Sequence, residues 1–177
     1  MAVTPVAVLV GPPGAGKSTV GRQLAQQLQV TAHDTDTAIE ASVGRSISDI
    51  FTTDGEAAFR ELEEQAVCAA LDAQDGVVAL GGGAVLSATT RARLSGHVVV
   101  FLNVGMAEGV RRSGLSAARP LLAGVNPRST FKLLLDARLP LYREVAAVEV
   151  STDGRAIADV VAEVLAALQT TPRSAQP

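Results

Sequence analysis

Eight residues, Gly11-Pro12-Pro13-Gly14-Ala15-Gly16-Lys17-Ser18, restrict this chain more than any other feature. They fit the pattern G-x-x-x-x-G-K-S/T at every position, and the apolar run Val6-Ala7-Val8-Leu9-Val10 stands just before them. A helical pattern runs from Lys17 to Leu28, so the motif reads as a strand-to-helix turn, the setting in which it binds phosphate. Glycines there let successive backbone N–H groups curl around a phosphate, and the helix N-terminus adds its positive end. Lys17 then reaches the β- and γ-phosphates of ATP, and the Ser18 hydroxyl ligates Mg2+. Gly14, Ala15, Gly16, Lys17, Ser18 and Thr19 are the expected nucleotide contacts, Thr19 through the α-phosphate. A plain glycine turn beside a surface lysine accounts for neither the full spelling nor its context.

Such a turn needs a sheet to carry it. Further strands are expected at Val30–His33, Val77–Leu80, Val98–Asn103 and Ala147–Val150. Helical patterns separate them: Ser46–Ala73 with a break at Asp54-Gly55, a short helix capped by Ser87, one from Asn103 to about Ser113, Pro127–Tyr142, and Ile157–Leu168. Strands alternating with helices predict an α/β fold, a parallel sheet with helices on both faces. Aromatic residues make up only 3% of the chain, so its core must be aliphatic, which suits buried parallel strands. The reading is of one domain over 1–169, with an aperiodic loop at about 114–126 and a disordered polar tail at 170–177.

Charge and cysteine content narrow the partners. A net charge of −3 argues against general nucleic-acid binding. No apolar run is long enough for a membrane span, and no secretory leader is read at the N-terminus. The single cysteine, Cys68, cannot form an internal bridge, so a reducing, cytoplasmic setting is expected, with Cys68 packed and inert. A monomer is expected, because no spare apolar element stands out.

What accepts the phosphate must come from the rest of the chain. There is no guanine-reading N-K-x-D, no second domain to act as a motor, and no long apolar strand ending in Asp. Instead Asp34-Thr35-Asp36 follows the second strand, and an extended backbone there would face both carboxylates the same way. One would then orient Mg2+ through water while the other accepts a hydrogen bond from the attacking hydroxyl. A solvated turn with a helix cap is the bland alternative. Gly81-Gly82-Gly83 ends the third strand, where open α/β sheets bind ligands, and offers backbone amides to a substrate or simply turns. Arg60 and Arg138 are candidates for gripping a carboxylate, and Arg119, in the long loop, for closing over the γ-phosphate.

These residues together resemble the shikimate kinases. The matching segments are Gly11 to Thr19, Asp34-Thr35-Asp36 with Ile39-Glu40, Phe51 through Phe59-Arg60 to Glu63, Leu80 to Ala84, Arg119-Pro120-Leu121-Leu122, and Arg138 with Pro140-Leu141-Tyr142. The resemblance implies a nucleoside-monophosphate-kinase-like, three-layer fold with a five-stranded parallel sheet, a substrate-binding helical region at about 35–62 and a mobile lid. It implies phosphorylation of the shikimate 3-hydroxyl by ATP, on the route to chorismate. By position, Asp36 would hold the substrate hydroxyls and serve as base, while Asp34 would orient Mg2+ through water. The assignment of the base between these two carboxylates stays open. Arg60, Arg138 and the Gly81–Gly83 turn would bind shikimate beside Phe51 and Phe59. Arg119 would contact ATP from the lid, and Arg112 and Arg155 would lie near the adenine. Members of the family often have a proline two residues after Arg155, where this chain has Ile157.

Two other readings share the P-loop. A kinase for another small molecule, such as gluconate, has no special need for Asp36, Arg60, Arg138 and Gly82 together. A nucleotide-binding module without catalysis would be expected to lack Lys17, Asp36 or Arg119, and all three are present.

Overall fold

The computed structural model describes residues 4–113 and 126–172 of the 177-residue chain. Its strands are β1 (Ala7–Val10), β2 (Ala32–Asp34), β3 (Val77–Ala79), β4 (Val99–Asn103) and β5 (Val148–Ser151). Its helices are α1 (Lys17–Leu28), α2 (Thr35–Val43), α3 (Ile47–Asp54), α4 (Glu56–Ala73), α5 (Ala88–Leu94), α6 (Met106–Ser113), α7 (Pro127–Val145) and α8 (Ile157–Thr170). The expected lid, including Arg119, lies outside the described residues.

The strands form one parallel sheet in the order β2-β3-β1-β4-β5. β1 lies at its centre, with Val8 opposite Val78 of β3 and Val99 of β4. Side chains alternate across a strand, and here both faces are covered. Ala7 and Leu9 join Val100 and Leu102 in one core, packed by Val20 and Leu24 of α1 and by Val160, Val161 and Val164 of α8. Val8 and Val10 join Val78, Val99 and Phe101 in the other, packed by Val67 and Leu71 of α4 and Leu94 of α5. This is the α/β three-layer arrangement expected from the sequence. Because connections to neighbours diverge on either side of β1, the crevice at its carboxyl end is where the glycine-rich turn sits.

A third, smaller cluster of Ile39, Ile50 and Phe59 ties α2, α3 and α4 together beside the sheet. α7 belongs to both main cores, with Phe131 in the first and Tyr142 in the second.

The boundaries differ from expectation at two helix ends. α7 passes through Pro140 and runs to Val145, beyond the expected end at Tyr142. Its last turn is held by the buried Tyr142 ring, stacked on Phe101 with centroids 5.0 Å apart, so packing overrides the local preference. α8 runs to Thr170, two residues past Leu168, so the first residue assigned to the tail is helical. Residues 173–177 lie outside the described part. Cys68, expected to be packed, is only half-buried.

α6 approaches α7 closely enough to leave no room for a side chain at Gly109. A Cβ there would lie 2.3 Å from Cζ of Phe131, which is fully buried. Gly109→Ala is therefore expected to destabilise the protein by about 1–3 kcal/mol through overpacking. A thermal melt with an unchanged midpoint would contradict this packing.

Candidate active site

The P-loop joins β1 to α1 as the motif required. Gly16 caps α1 with φ +86° and ψ 20°, and no side chain caps the helix. A Cβ at Gly16 would meet only Ile157 Cδ1, at 3.8 Å, so conformation rather than space demands glycine there. The first N–H groups of α1 have no partner within the helix and point into the loop, the arrangement that receives phosphate. Lys17 Nζ donates to the carbonyl oxygens of Gly11 at 2.8 Å and Pro12 at 3.0 Å, which lays the ammonium across the loop. Thr19 is exposed on the first turn of α1.

Asp34 and Asp36 are not joined by extended backbone. β2 passes directly into α2: Asp34 is its N-cap, at φ −118° and ψ 120°, and Thr35 and Asp36 already lie in the first helical turn. The expectation of a shared face along an extended D-T-D segment is thus corrected, because the cap closes the helix at once. Asp34 Oδ1 accepts from the Thr37 amide at 3.1 Å, while Oδ2 accepts from the Ser18 hydroxyl. The cap reading of Asp34 therefore applies, and its other oxygen faces the P-loop serine. Its neighbour in the site is Ser18, rather than Asp36 along the chain.

Ser18 and Asp34 form a paired oxygen site at the mouth of the P-loop. Among the described residues, no group of three or more His, Cys, Asp or Glu stands ready to hold a metal ion alone. Two protein oxygens fit Mg2+ that draws its other ligands from phosphates and water.

The Gly81–Gly83 turn serves as a floor for charged side chains. A Cβ at Gly81 would lie 2.6 Å from Asp36 Oδ1 and 2.6 Å from Glu63 Oε1. One at Gly83 would lie 2.1 Å from Arg60 Nη1. Thr35, fully buried between the two Asp residues, accepts from the Gly81 amide at 3.2 Å and donates to the Ala79 carbonyl at 3.4 Å. The Gly81 amide is thereby engaged within the protein.

Arg60 of α4 pairs with Glu63 at 2.6 Å and with Glu56 at 3.3 Å. Its guanidinium also lies 5.9 Å from the Phe51 ring centre and 5.3 Å from that of Phe59, and the two rings are 4.7 Å apart. Arg138 of α7 is 6% exposed and Glu63 is 3% exposed, so a cation and an anion are both held out of water here. Burial pushes the Glu63 carboxyl above its ordinary range, and Arg60, Arg138 and Lys17 pull it back. Burial also lowers Arg138, and Arg60 adds repulsion, while the nearby Tyr142 and Glu63 act the other way.

Arg112 and Arg155 meet around the turn after β5. Arg112 donates to Thr152 Oγ1 at 3.1 Å and to the Thr152 carbonyl at 2.8 Å. Arg155 donates to the Ser151 carbonyl at 2.9 Å and to Glu163 at 2.6 Å. Ile157 packs at the margin of the first core.

Three residues of the cluster stood in the matching segments but were given no role by sequence reasoning: Thr35, Glu63 and Tyr142. Glu63 follows Arg60 by three places and Tyr142 follows Arg138 by four, the spacings at which helical neighbours meet, so the signal for both was available. Nothing local marks Thr35, whose partners lie on β3 and the turn after it.

A P-loop after the central strand of a parallel sheet, with a small helical region over the crevice, defines a P-loop kinase of the nucleoside-monophosphate-kinase-like type. A family model described as shikimate kinase matches residues 13–169. The shikimate kinase of Saccharopolyspora erythraea is 64% identical over 152 residues, covering 86% of this chain and 87% of that protein. The Mycobacterium tuberculosis shikimate kinase is 54% identical over 167 residues, covering 94% and 95%. Among solved structures, shikimate kinase from Acinetobacter baumannii in complex with shikimate has a TM-score of 0.91 at 36% identity, covering 95% of this chain and 94% of that one. This chain belongs to the shikimate kinase family.

The raised Glu63 carboxyl has a measurable consequence. A carboxyl whose folded pKa exceeds its unfolded one stabilises the native state below the unfolded value and loses that contribution as pH rises through the folded value. Stability should therefore fall as pH rises from 4.5, the ordinary glutamate value, through the raised one. Glu63→Gln cannot titrate, so its urea-melt stability should be flatter across that window. Parallel pH profiles for the two proteins would remove the buried Glu63 proton from the account.

Proposed function

We propose that this chain transfers the γ-phosphoryl group of Mg·ATP to the 3-hydroxyl of shikimate, giving shikimate 3-phosphate and ADP on the route to chorismate and the aromatic amino acids. The observation that carries the residue assignment is the meeting of Asp36, Arg60, Glu63 and Arg138 over the Gly81–Gly83 turn, beside the Ser18–Asp34 pair. An anionic acceptor needs fixed cations, and a hydroxyl nucleophile needs a carboxylate near the phosphate.

In this reading Arg138 and Arg60 bind the shikimate carboxylate, with the Gly82 amide beside them. Phe51 and Phe59 form the apolar wall, and their contact with Arg60 limits its rotation. Asp36 holds the substrate hydroxyls and takes the proton as the hydroxyl oxygen bonds to the γ-phosphorus and the bond to ADP breaks. Asp34 supports the opposite side of the site, since its oxygens already serve Ser18 and the Thr37 amide. When bound, Mg2+ neutralises charge on the phosphates, and Ser18 with Asp34 would hold it, Asp34 through water. Lys17 leaves the Gly11 and Pro12 carbonyls for the β- and γ-phosphates. Arg112 and Arg155 flank the base, and Arg119 closes over the γ-phosphate from the lid. A monomer acting in the cytoplasm completes the proposal; no helix among the described residues is long and apolar enough to cross a membrane.

The test is ADP release by the purified protein with Mg·ATP, alone, with shikimate, and with gluconate as a control acceptor. Strong stimulation by shikimate and none by gluconate is expected. Equal stimulation by both would sink the acceptor assignment. Arg138→Ala should raise the KM for shikimate about 10-fold or more while the KM for ATP stays within about twofold, because the guanidinium meets only the acid substrate. A matched rise for ATP would count against that role.

A further inference from the structure

Thr35 separates the two carboxylates of the Asp34-Thr35-Asp36 segment and is fully buried, while both of its neighbours are partly exposed. Its hydroxyl occupies a place that backbone normally fills. β2 pairs with β3 in a register that sets Ala32 opposite Val77 and Asp34 opposite Ala79. In that register the Val77 N–H donates to the Thr31 carbonyl at 2.8 Å. Bonds along a parallel ladder recur every second residue, so the same register assigns the Gly81 N–H to the Thr35 carbonyl. Thr35, however, is already the first residue of α2, and its carbonyl is committed to the helix. The side chain takes over. The Gly81 N–H donates to Thr35 Oγ1 at 3.2 Å, and Oγ1 donates, over a longer 3.4 Å, to the Ala79 carbonyl.

The consequence falls on the next residue. Asp36 lies in the same helical turn, with Oδ1 2.6 Å from the position that a Cβ at Gly81 would take. The Thr35–Gly81 bond thus joins the backbone on either side of that approach. Asp34, one place earlier, is held by the Ser18 hydroxyl and the Thr37 amide. Without the Thr35 hydroxyl the buried Gly81 N–H would lose its partner, and α2 would be free to pivot about its Asp34 cap.

We propose that Thr35 is a positioning residue for phosphoryl transfer, whose hydroxyl closes the last rung between β2 and β3 and so holds the Asp36 carboxylate over the Gly81 turn. The proposal rests on the reading of Asp36 as the group that takes the proton of the acceptor hydroxyl. Misplacing a reacting group by about 1 Å can cost about 100-fold in rate, so a tie of this kind acts on turnover.

Thr35→Val keeps the branched shape and removes only the hydroxyl. In the full-length protein with shikimate and Mg·ATP, kcat should fall about 10-fold while the KM for Mg·ATP stays within about twofold. Thr35→Ser gives up the methyl group but keeps the hydroxyl, and its kcat should stay within about twofold of the unaltered protein. A lowered melting midpoint with unchanged kcat in Thr35→Val would make the hydroxyl purely structural and overturn the proposal. So would equal losses of kcat in the Val and Ser variants. Asp36→Asn separates the layers: if it keeps near-normal kcat, the reading of Asp36 itself fails. If it loses turnover while Thr35→Val does not, only the role of Thr35 falls.

A second measurement needs no substitution, and it decides even where Thr35→Val does not fold. In the unaltered protein the Gly81 amide should exchange with solvent deuterium about as slowly as the Val77 amide, whose acceptor is a backbone carbonyl. Exchange of Gly81 as fast as that of an exposed amide would refute the bond to Thr35.

Discussion

Charges taken out of water need partners, and the site is organised around that requirement. Glu63 and Arg138 are almost wholly buried, and Arg60 pairs with Glu63 beside the glycine turn. They come from three places: Arg60 and Glu63 from α4, Arg138 from α7, the turn from the end of β3. Electrostatic attraction between Glu63 and Arg138 thus acts between two helices at the carboxyl edge of the sheet. The aliphatic layers behind them make this possible by leaving α4 and α7 little freedom to shift, since close-packed interiors transmit displacement rather than absorb it.

The nucleotide side works by the opposite logic. There the polar groups are kept ready rather than neutralised permanently. The Lys17 ammonium lies on two carbonyls of its own loop, and the N–H groups at the start of α1 have no capping side chain. Ser18 and Asp34 join the P-loop to the helices beside the sheet, because Asp34 also caps α2. One carboxylate thus belongs to the P-loop by one oxygen and to that helical region by the other.

Much of this was legible in the sequence, and the pattern of success has a physical basis. β1, the P-loop and α1 are encoded by adjacent residues, so spelling and periodicity sufficed. The shikimate kinase reading likewise rested on segments whose residues recur in fixed order, and the relatives bear it out. The backbone through Asp34-Thr35-Asp36 was misread because a helix cap and an extended pair use the same residues. Only the Asp34 contacts with Thr37 and Ser18 separate them. Thr35 and Tyr142 were passed over because their partners are distant in sequence: Thr35 bonds Gly81 and Tyr142 bonds Gly82. Glu63 could have been found from its spacing to Arg60. Arg119 falls outside the described residues, so its place in the lid stands on sequence alone.

Gly81 and Gly83 contribute to the site by what they lack. The smallest possible enlargement, one methyl group, would collide with Asp36 and Glu63 at the first position and with Arg60 at the second. Both collisions are with the ends of side chains, so a methyl group at either position would fit only by moving the charged groups gathered there. Efforts to widen the range of acceptors would accordingly begin with the aromatic wall and leave the floor as it is.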